Sequence, residues 1–283
     1  MLRFLRVAWG IGVLALGAAG CSLFPELGNL SSGDGGQGYD ASTGSDSAAD
    51  SAVEASPAVD AGADADASCS CTNLVSAYRF SDPNNLGQDF FGNNNMVTLQ
   101  GKPKQSTSTP NGFGGYSIQL DGSSSVCIAS GFTFDSTADH TLCWWSEPTA
   151  LADSTNQFAQ ACGYDTWTTN AGVDYLWRIN NCNGGTPADL KVPGVYSAGK
   201  WVQICQTYTR ASLKRTVVLN GQTSNKVSVT DTVPIVMSTS NWCIGAYGTG
   251  GFWTGLIYRP MWFNRVLSDT EMEQVYARGC CLP

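Results

Sequence analysis

The sequence predicts an all-β protein, a sandwich of antiparallel sheets closed by one short C-terminal helix. Three observations predict it. Runs of alternating apolar and polar residues recur from 74 to 263 at intervals of roughly 8–20 residues, the spacing of strands in a sandwich. Two dipeptides, Asp121-Gly122 and Asn220-Gly221, supply the positive backbone dihedrals that tight hairpins need. At the C-terminal end a glycine-rich turn leads into one long half-buried strand over 252–263, and a helix start follows it.

In chain order, LVSAYRF (74–80) alternates and reads as a strand, and GQDFFGNNN (87–95) is a loop of turn formers. Residues 116–120 and 125–129 read as strands joined at Asp121-Gly122, and HTLCWWSE (140–147) as a third. Residues 156–163 and 173–180 form a strand pair around an exposed YDTWTTNAG loop. WVQICQTY (201–208) and 216–219 continue the sheet, with Asn220-Gly221 turning into 223–229. Ser268 caps the final helix, Glu271 reaches back in a capping box, and Met272, Val275 and Tyr276 share its apolar face.

Before the domain the chain changes character. Residues 1–20 carry Arg3 and Arg6, an apolar run and small residues directly before Cys21, a signal-peptide pattern. The end of that segment resembles a bacterial lipobox, with Ala18 where leucine is usual, and the resemblance implies a lipid on Cys21. Ser22 in place of Asp points, by resemblance to Gram-negative lipoproteins, to the outer membrane. From 21 to 68 the chain is Ala, Gly, Ser and Asp with no Lys or Arg, an acidic tether too apolar-poor to fold. The formal net charge of −8 divides into +2 from residues 1–20, −9 from the tether and −1 from 69–283. The domain is near neutral, and with no basic stripe there is no case for nucleic acid.

Of the 11 cysteines, ten lie beyond Cys21, a disulfide count for an exported chain. Cys69 and Cys71 open the domain and Cys280 and Cys281 close it, fitting staples between the first and last strands; a metal site is the competing reading. Cys162 and Cys182 flank the expected strand pair. Cys127, Cys143, Cys205 and Cys243 each sit in a strand, with partners that sequence leaves open.

The ordered segments LVSAYRF, YSIQLDGSSSVCI, TLCWWSEP, GKWVQICQTY, VVLNGQ, WCIGAY and GFWTGLIYRPMWFNRVLSDTEMEQVY resemble a bacterial LamG-like domain of the concanavalin A-like lectin/glucanase superfamily, over roughly 72–278. The resemblance implies a jelly roll with adjacent first and last strands. Where such domains read Ile-Asp-Glu in the last strand, this chain has Ile257-Tyr258-Arg259, which removes two acids. Asp89 matches the family's early Asp-x-x-Gly-Asn turn and is the one candidate calcium ligand; otherwise no cofactor is expected.

Hydrolysis of a glycoside needs paired carboxyls, and the superfamily's glucanases carry a Glu-x-Asp-x-x-Glu strand that has no counterpart here. Glu147 has no acidic neighbour on its strand, and the single His140 reads as structural. Enzymatic activity is not expected. Binding fits better, because sugars stack on aromatic rings and hydrogen-bond to amides and carboxylates. Tyr164, Asp165, Trp167 and Asn170 in one loop, with Asn181 and Asn183 in the next, are the candidate ligand residues, and Trp167 is the foremost platform. Trp144, Trp145, Trp201, Trp262, Trp242 and Trp253 read as core. Three functions remain open: a glycan-binding module, an adhesive surface protein binding another protein, and a divergent hydrolase.

Overall fold

A computed structural model describes residues 72–279 except 93, 111, 129–136, 161–163, 180–188, 236–241 and 248–249. The signal segment, Cys21, the tether, Cys69, Cys71, Cys162, Cys182, Cys280, Cys281, Asn181 and Asn183 lie outside the described residues. The strands are β1 (Leu74–Ala77), β2 (Val97–Gln100), β3 (Lys104–Ser106), β4 (Ser117–Asp121), β5 (Ser125–Cys127), β6 (His140–Pro148), β7 (Asn156–Gln160) and β8 (Tyr164–Thr169). They continue with β9 (Asp174–Ile179), β10 (Leu190–Val192), β11 (Val202–Thr209), β12 (Lys214–Leu219), β13 (Val227–Thr230), β14 (Trp242–Ile244) and β15 (Thr254–Phe263), followed by α1 (Asp269–Arg278).

The described strands form two antiparallel sheets, the expected jelly-roll sandwich. One runs β13-β12-β11-β6-β15-β4-β3, and β1 also pairs with β15; the other runs β10-β9-β8-β7-β14-β5-β2. The long last strand is central. β6 pairs along one side of it, while β4 and then β1 share the other. First and last strands are therefore adjacent. A register shift between Tyr258 and Met261, where Arg259 takes φ 48° before Pro260, lets β15 serve both partners.

Alternation on these strands divides the apolar residues between two cores. Leu142, Trp144, Ile204, Ile257 and Trp262 point between the sheets, where they meet Phe158, Tyr164, Tyr175, Trp177 and Trp242. Cys143, Trp145, Cys205, Tyr258, Met261 and Phe263 point outward and are covered by Met272 and Val275 of α1. The helix begins with the expected capping box: Ser268 accepts from the Glu271 amide, and Glu271 accepts from the Ser268 amide. Arg265 grips the same carboxylate through Nη1 at 2.8 Å and Nη2 at 2.6 Å and holds it down to about 2. Gly279, at φ 59°, ends the helix in the left-handed conformation that favours glycine.

Each described disulfide joins residues directly opposite on neighbouring strands. Cys143 pairs with Cys205 across β6 and β11, and Cys127 with Cys243 across β5 and β14. At one edge of the sandwich a buried ion pair lies beside β12 and β13 of the first sheet, and its arginine also reaches across to the second. The Arg215 guanidinium of β12 donates Nε and Nη2 to Asp231 at 2.8 Å each, and Nη1 to the Trp177 carbonyl of β9 at 2.9 Å. Neither side chain is exposed.

Several expectations need correction. Asp121-Gly122 is not a hairpin turn, because β4 and β5 belong to different sheets; the Asp121 carboxylate takes the Ser123 amide and the Ser123 and Ser124 hydroxyls and turns the chain across the sandwich. Residues 164–169 are a strand rather than a loop, since their Thr, Tyr and Trp side chains fit a pleated surface and pair with β7 and β9. Trp201 is only half-buried, and Tyr276 is 42% exposed instead of joining the apolar face of the helix. At Asn220-Gly221 the left-handed dihedrals are as expected, φ 49° and 64°, but the turn is not a tight hairpin: Thr223–Asn225 forms a 3-10 turn, and β12 and β13 first pair at Val217 opposite Val227.

Candidate functional site

On β8 Tyr164 points into the core, so alternation turns Asp165 and Trp167 to the outer face of the second sheet. Antiparallel register sets Asp165 opposite Arg178 and Trp167 opposite Leu176 on β9, and Leu176 opposite Lys191 on β10. The three strands thus gather one aromatic ring, two cations and several carboxylates on one face.

The half-buried Trp167 ring lies 5.5 Å from the Arg178 guanidinium carbon, within cation–π reach. Arg178 is held there by Asp189, with Nε to Oδ1 at 3.0 Å and Nη2 to Oδ2 at 2.8 Å. Those bonds raise the Arg178 pKa. At the other end Asp174 accepts from the Gly194 amide at 2.9 Å and meets Lys191 at 3.0 Å, contacts that keep its carboxyl below the usual range.

Asp165 is the anomaly. It is 3% exposed, and its Oδ1 is buried without a hydrogen-bond partner. Burial pushes its carboxyl up to about 7; the nearby Trp167 indole and Arg178 guanidinium offset only part of that cost, because the Arg178 fork is committed to Asp189. A carboxyl balanced near neutrality can both donate and accept hydrogen bonds. Buried beside the half-buried Trp167 indole, with Oδ1 unsatisfied, it is the carboxyl on this face that structural pairing leaves unexplained.

The structure brings Asp165 and Trp167 together and removes Tyr164 from the set. Tyr164 is fully buried, with its hydroxyl donating to Gln206 and its ring packed on Trp242 at 4.8 Å. Asn170 occupies the β8–β9 turn at φ 57° and bonds toward Asp174, a turn-forming position. Asp89 is buried, and its two oxygens accept from the Ala77 amide at 2.8 Å and the Asn94 amide at 3.1 Å, so it staples its loop to β1. Among the described residues no three His, Cys, Asp or Glu side chains are grouped to hold a metal. His140 is buried, with Nδ1 2.9 Å from the Ala138 carbonyl and its ring near Tyr208, in a structural setting.

Arg178, Leu176, Asp189 and Lys191 escaped the sequence reading. Pairing 164–169 with 174–179 around the Asn170-Ala171-Gly172 turn would have found the first two.

The sequence matches the laminin G family described as the concanavalin A-like lectin/glucanases superfamily over residues 120–273. No curated protein sequence matches the chain. Among solved structures, domain 4 of AbnA, a GH43 extracellular arabinanase from Geobacillus stearothermophilus solved with arabinotriose, is 15% identical, with a TM-score of 0.56 over 72% of this chain and 98% of that one. The binding domain of Paraclostridial mosquitocidal protein 1 is 16% identical, with a TM-score of 0.55 over 72% and 52%. The binding domain of botulinum neurotoxin DC in complex with SialylT is 11% identical, with a TM-score of 0.54 over 72% and 51%. This chain spans about half the length of those two toxin domains, and at such identities the likeness is one of fold. The family match extends over more than half of the sequence and agrees with the two-sheet architecture, so the chain belongs to the concanavalin A-like lectin/glucanases superfamily.

Proposed function

We propose that this protein is a non-catalytic carbohydrate-binding module displayed on the cell envelope, and that it binds glycan on the outer face of β8–β10. The observation that carries the reading is the half-buried Trp167 ring set beside Arg178 and beside Asp165, whose Oδ1 is buried without a partner. Trp167 is the stacking platform, Arg178 and Asp189 offer donors and acceptors at its edge, and Asp165 accepts from or donates to a hydroxyl. Saccharides bound to two of the structural neighbours support the ligand class. No resident metal takes part in this reading.

The hydrolytic alternative finds only half of what it needs. Asp165 resembles a general acid, but Asp189 is tied to Arg178 and Asp174 to Lys191, leaving no unpaired second carboxylate on the described face. In a glycan-array screen of the full chain, Trp167→Ala is expected to weaken binding about tenfold or more, in EDTA as in calcium. Wild-type binding by both Trp167→Ala and Arg178→Ala would exclude this face. If the array is silent while a surface protein is captured through the same face, the adhesive reading replaces this one.

Export, a lipid on Cys21 and an outer-membrane address complete the proposal. Among the described residues no helix is long and apolar enough to cross a membrane. Cys21→Ser is expected to move the protein from the membrane to the soluble fraction; unchanged fractionation would remove the anchor from the proposal.

A further inference from the structure

The opposite side of the sandwich carries a second groove, of about 580 Å³, between the outer face of the first sheet and α1. That is the size of a small-ligand site. Trp145 and Phe113 line it, their rings meeting edge to face at 5.5 Å, and the half-buried Trp201 stands at the start of β11. Tyr276 of α1 joins them, 42% exposed. The Asn220-Gly221 turn seats that ring: a Cβ on Gly221 would stand 2.8 Å from the Tyr276 Cβ, so this glycine is needed for close approach as well as for its φ. The sequence assigned Trp201 and Tyr276 to apolar packing, yet both present ring surface to the groove.

A carboxylate and an ammonium line the same groove, those of Glu147 and Lys200. Glu147, at the end of β6, is half-buried; burial raises its carboxyl, and the charge of Lys200 offsets part of that. Among the described residues neither Glu147 nor Lys200 is in an ion pair, although each feels the other's charge. Asn220 adds an amide whose oxygen already accepts from the Gln203 amide, leaving its NH₂ as a donor.

These features select a ligand chemistry. The exposed Tyr276 ring and the half-buried Trp201 indole call for a partner with flat apolar surface. Opposite charges without net sign disfavour a polyanion, which would meet Glu147, and a polycation, which would meet Lys200. An acyl chain would leave both charges desolvated and unpaired. A neutral sugar has an apolar ring face and hydroxyls that serve a carboxylate as donors and an ammonium or amide as acceptors.

We infer that the groove lined by Trp201, Tyr276, Glu147 and Lys200 is a second saccharide site, which takes a neutral oligosaccharide. It does not depend on the β8–β10 face, since the two lie on the outer surfaces of opposite sheets. A chain with both sites links two glycan strands.

The test is an array of neutral oligosaccharides probed with the full chain, with the strongest hits titrated calorimetrically. Tyr276→Ser and Glu147→Gln change exposed or half-buried positions and keep the fold, which thermal melting verifies; Trp201→Ala is the deeper truncation. The expected result is that Tyr276→Ser and Glu147→Gln each weaken a subset of the binding about tenfold, while Trp167→Ala leaves that subset intact. Wild-type affinity and stoichiometry in Tyr276→Ser, Glu147→Gln and Trp201→Ala together would overturn the second site and leave the first standing. Loss of all binding in Trp167→Ala would also overturn it. Loss in the groove variants alone, with Trp167→Ala unchanged, supports the groove and sinks the β8–β10 reading. A wild-type chain that binds no neutral oligosaccharide overturns the groove outright.

Discussion

Replacing Arg215 or Asp231 with alanine is expected to destabilise the domain by about 3–5 kcal/mol, the cost of stranding one partner of a fully buried ion pair. For a domain of this size that corresponds to a melting temperature lower by roughly 10 °C. The reason lies in what remains behind. Without Asp231, the Arg215 guanidinium retains the Trp177 carbonyl and the Trp177 ring, 5.1 Å from its carbon, and neither of these carries the negative charge that neutralises it. Without Arg215, the Asp231 carboxylate is left unpaired in a site with no exposure. The Arg215→Met/Asp231→Leu double variant removes both charges and is expected to lose less than either single change. Urea unfolding of the four proteins measures this. Single variants within 1 kcal/mol of wild type would show that stranding either charge at this edge is not costly.

Asp165 produces the second large effect, and its sign is opposite to that of most paired carboxylates. Its folded pKa near 7 lies above the ordinary 3.8, so the folded state holds the proton more tightly than the unfolded chain. The contribution to stability is fully present below pH 3.8 and declines as pH rises to about 7, beyond which the folded state carries a buried charge. Asp165→Asn keeps the shape and abolishes this titration. The variant is expected to match the wild type near pH 4 and to exceed it at pH 8 by about 2–4 kcal/mol. Glu271 does not confuse the measurement: its pKa, held down to about 2 by Arg265, adds stability above pH 4.5 that is lost only as pH falls toward 2. A constant difference between Asp165→Asn and wild type from pH 4 to pH 8 would show that this carboxyl is not perturbed.

What could be read from residues alone is what neighbouring residues decide among themselves. The long strand from 254 to 263 follows from its alternation and the helix start from Ser268 and Glu271, and the left-handed pair at Asn220-Gly221 follows from side chains that tolerate it. The ordered strand motifs also identified the family, and with it the contact of first and last strands. The site was half legible: Trp167 and Asp165 were named, but on a loop, with Tyr164 beside them.

Tertiary structure decided the rest, because it turns on which strand lies next to which. Asp121-Gly122 has the residues of a hairpin, and only the separate partners of β4 and β5 make it a crossing between sheets. A polar run such as 164–169 becomes a strand when β7 and β9 take up its backbone groups, and the same pairing sends Tyr164 inward and sets Arg178 beside Asp165. Cys127 finds Cys243 across a sequence separation of 116, and Arg215 and Asp231 become a pair through burial. Caps, turns and alternation act within a few residues and are visible in the chain. Register, desolvation and long-range pairing depend on segments far apart in sequence, so they exist only once both sheets have formed.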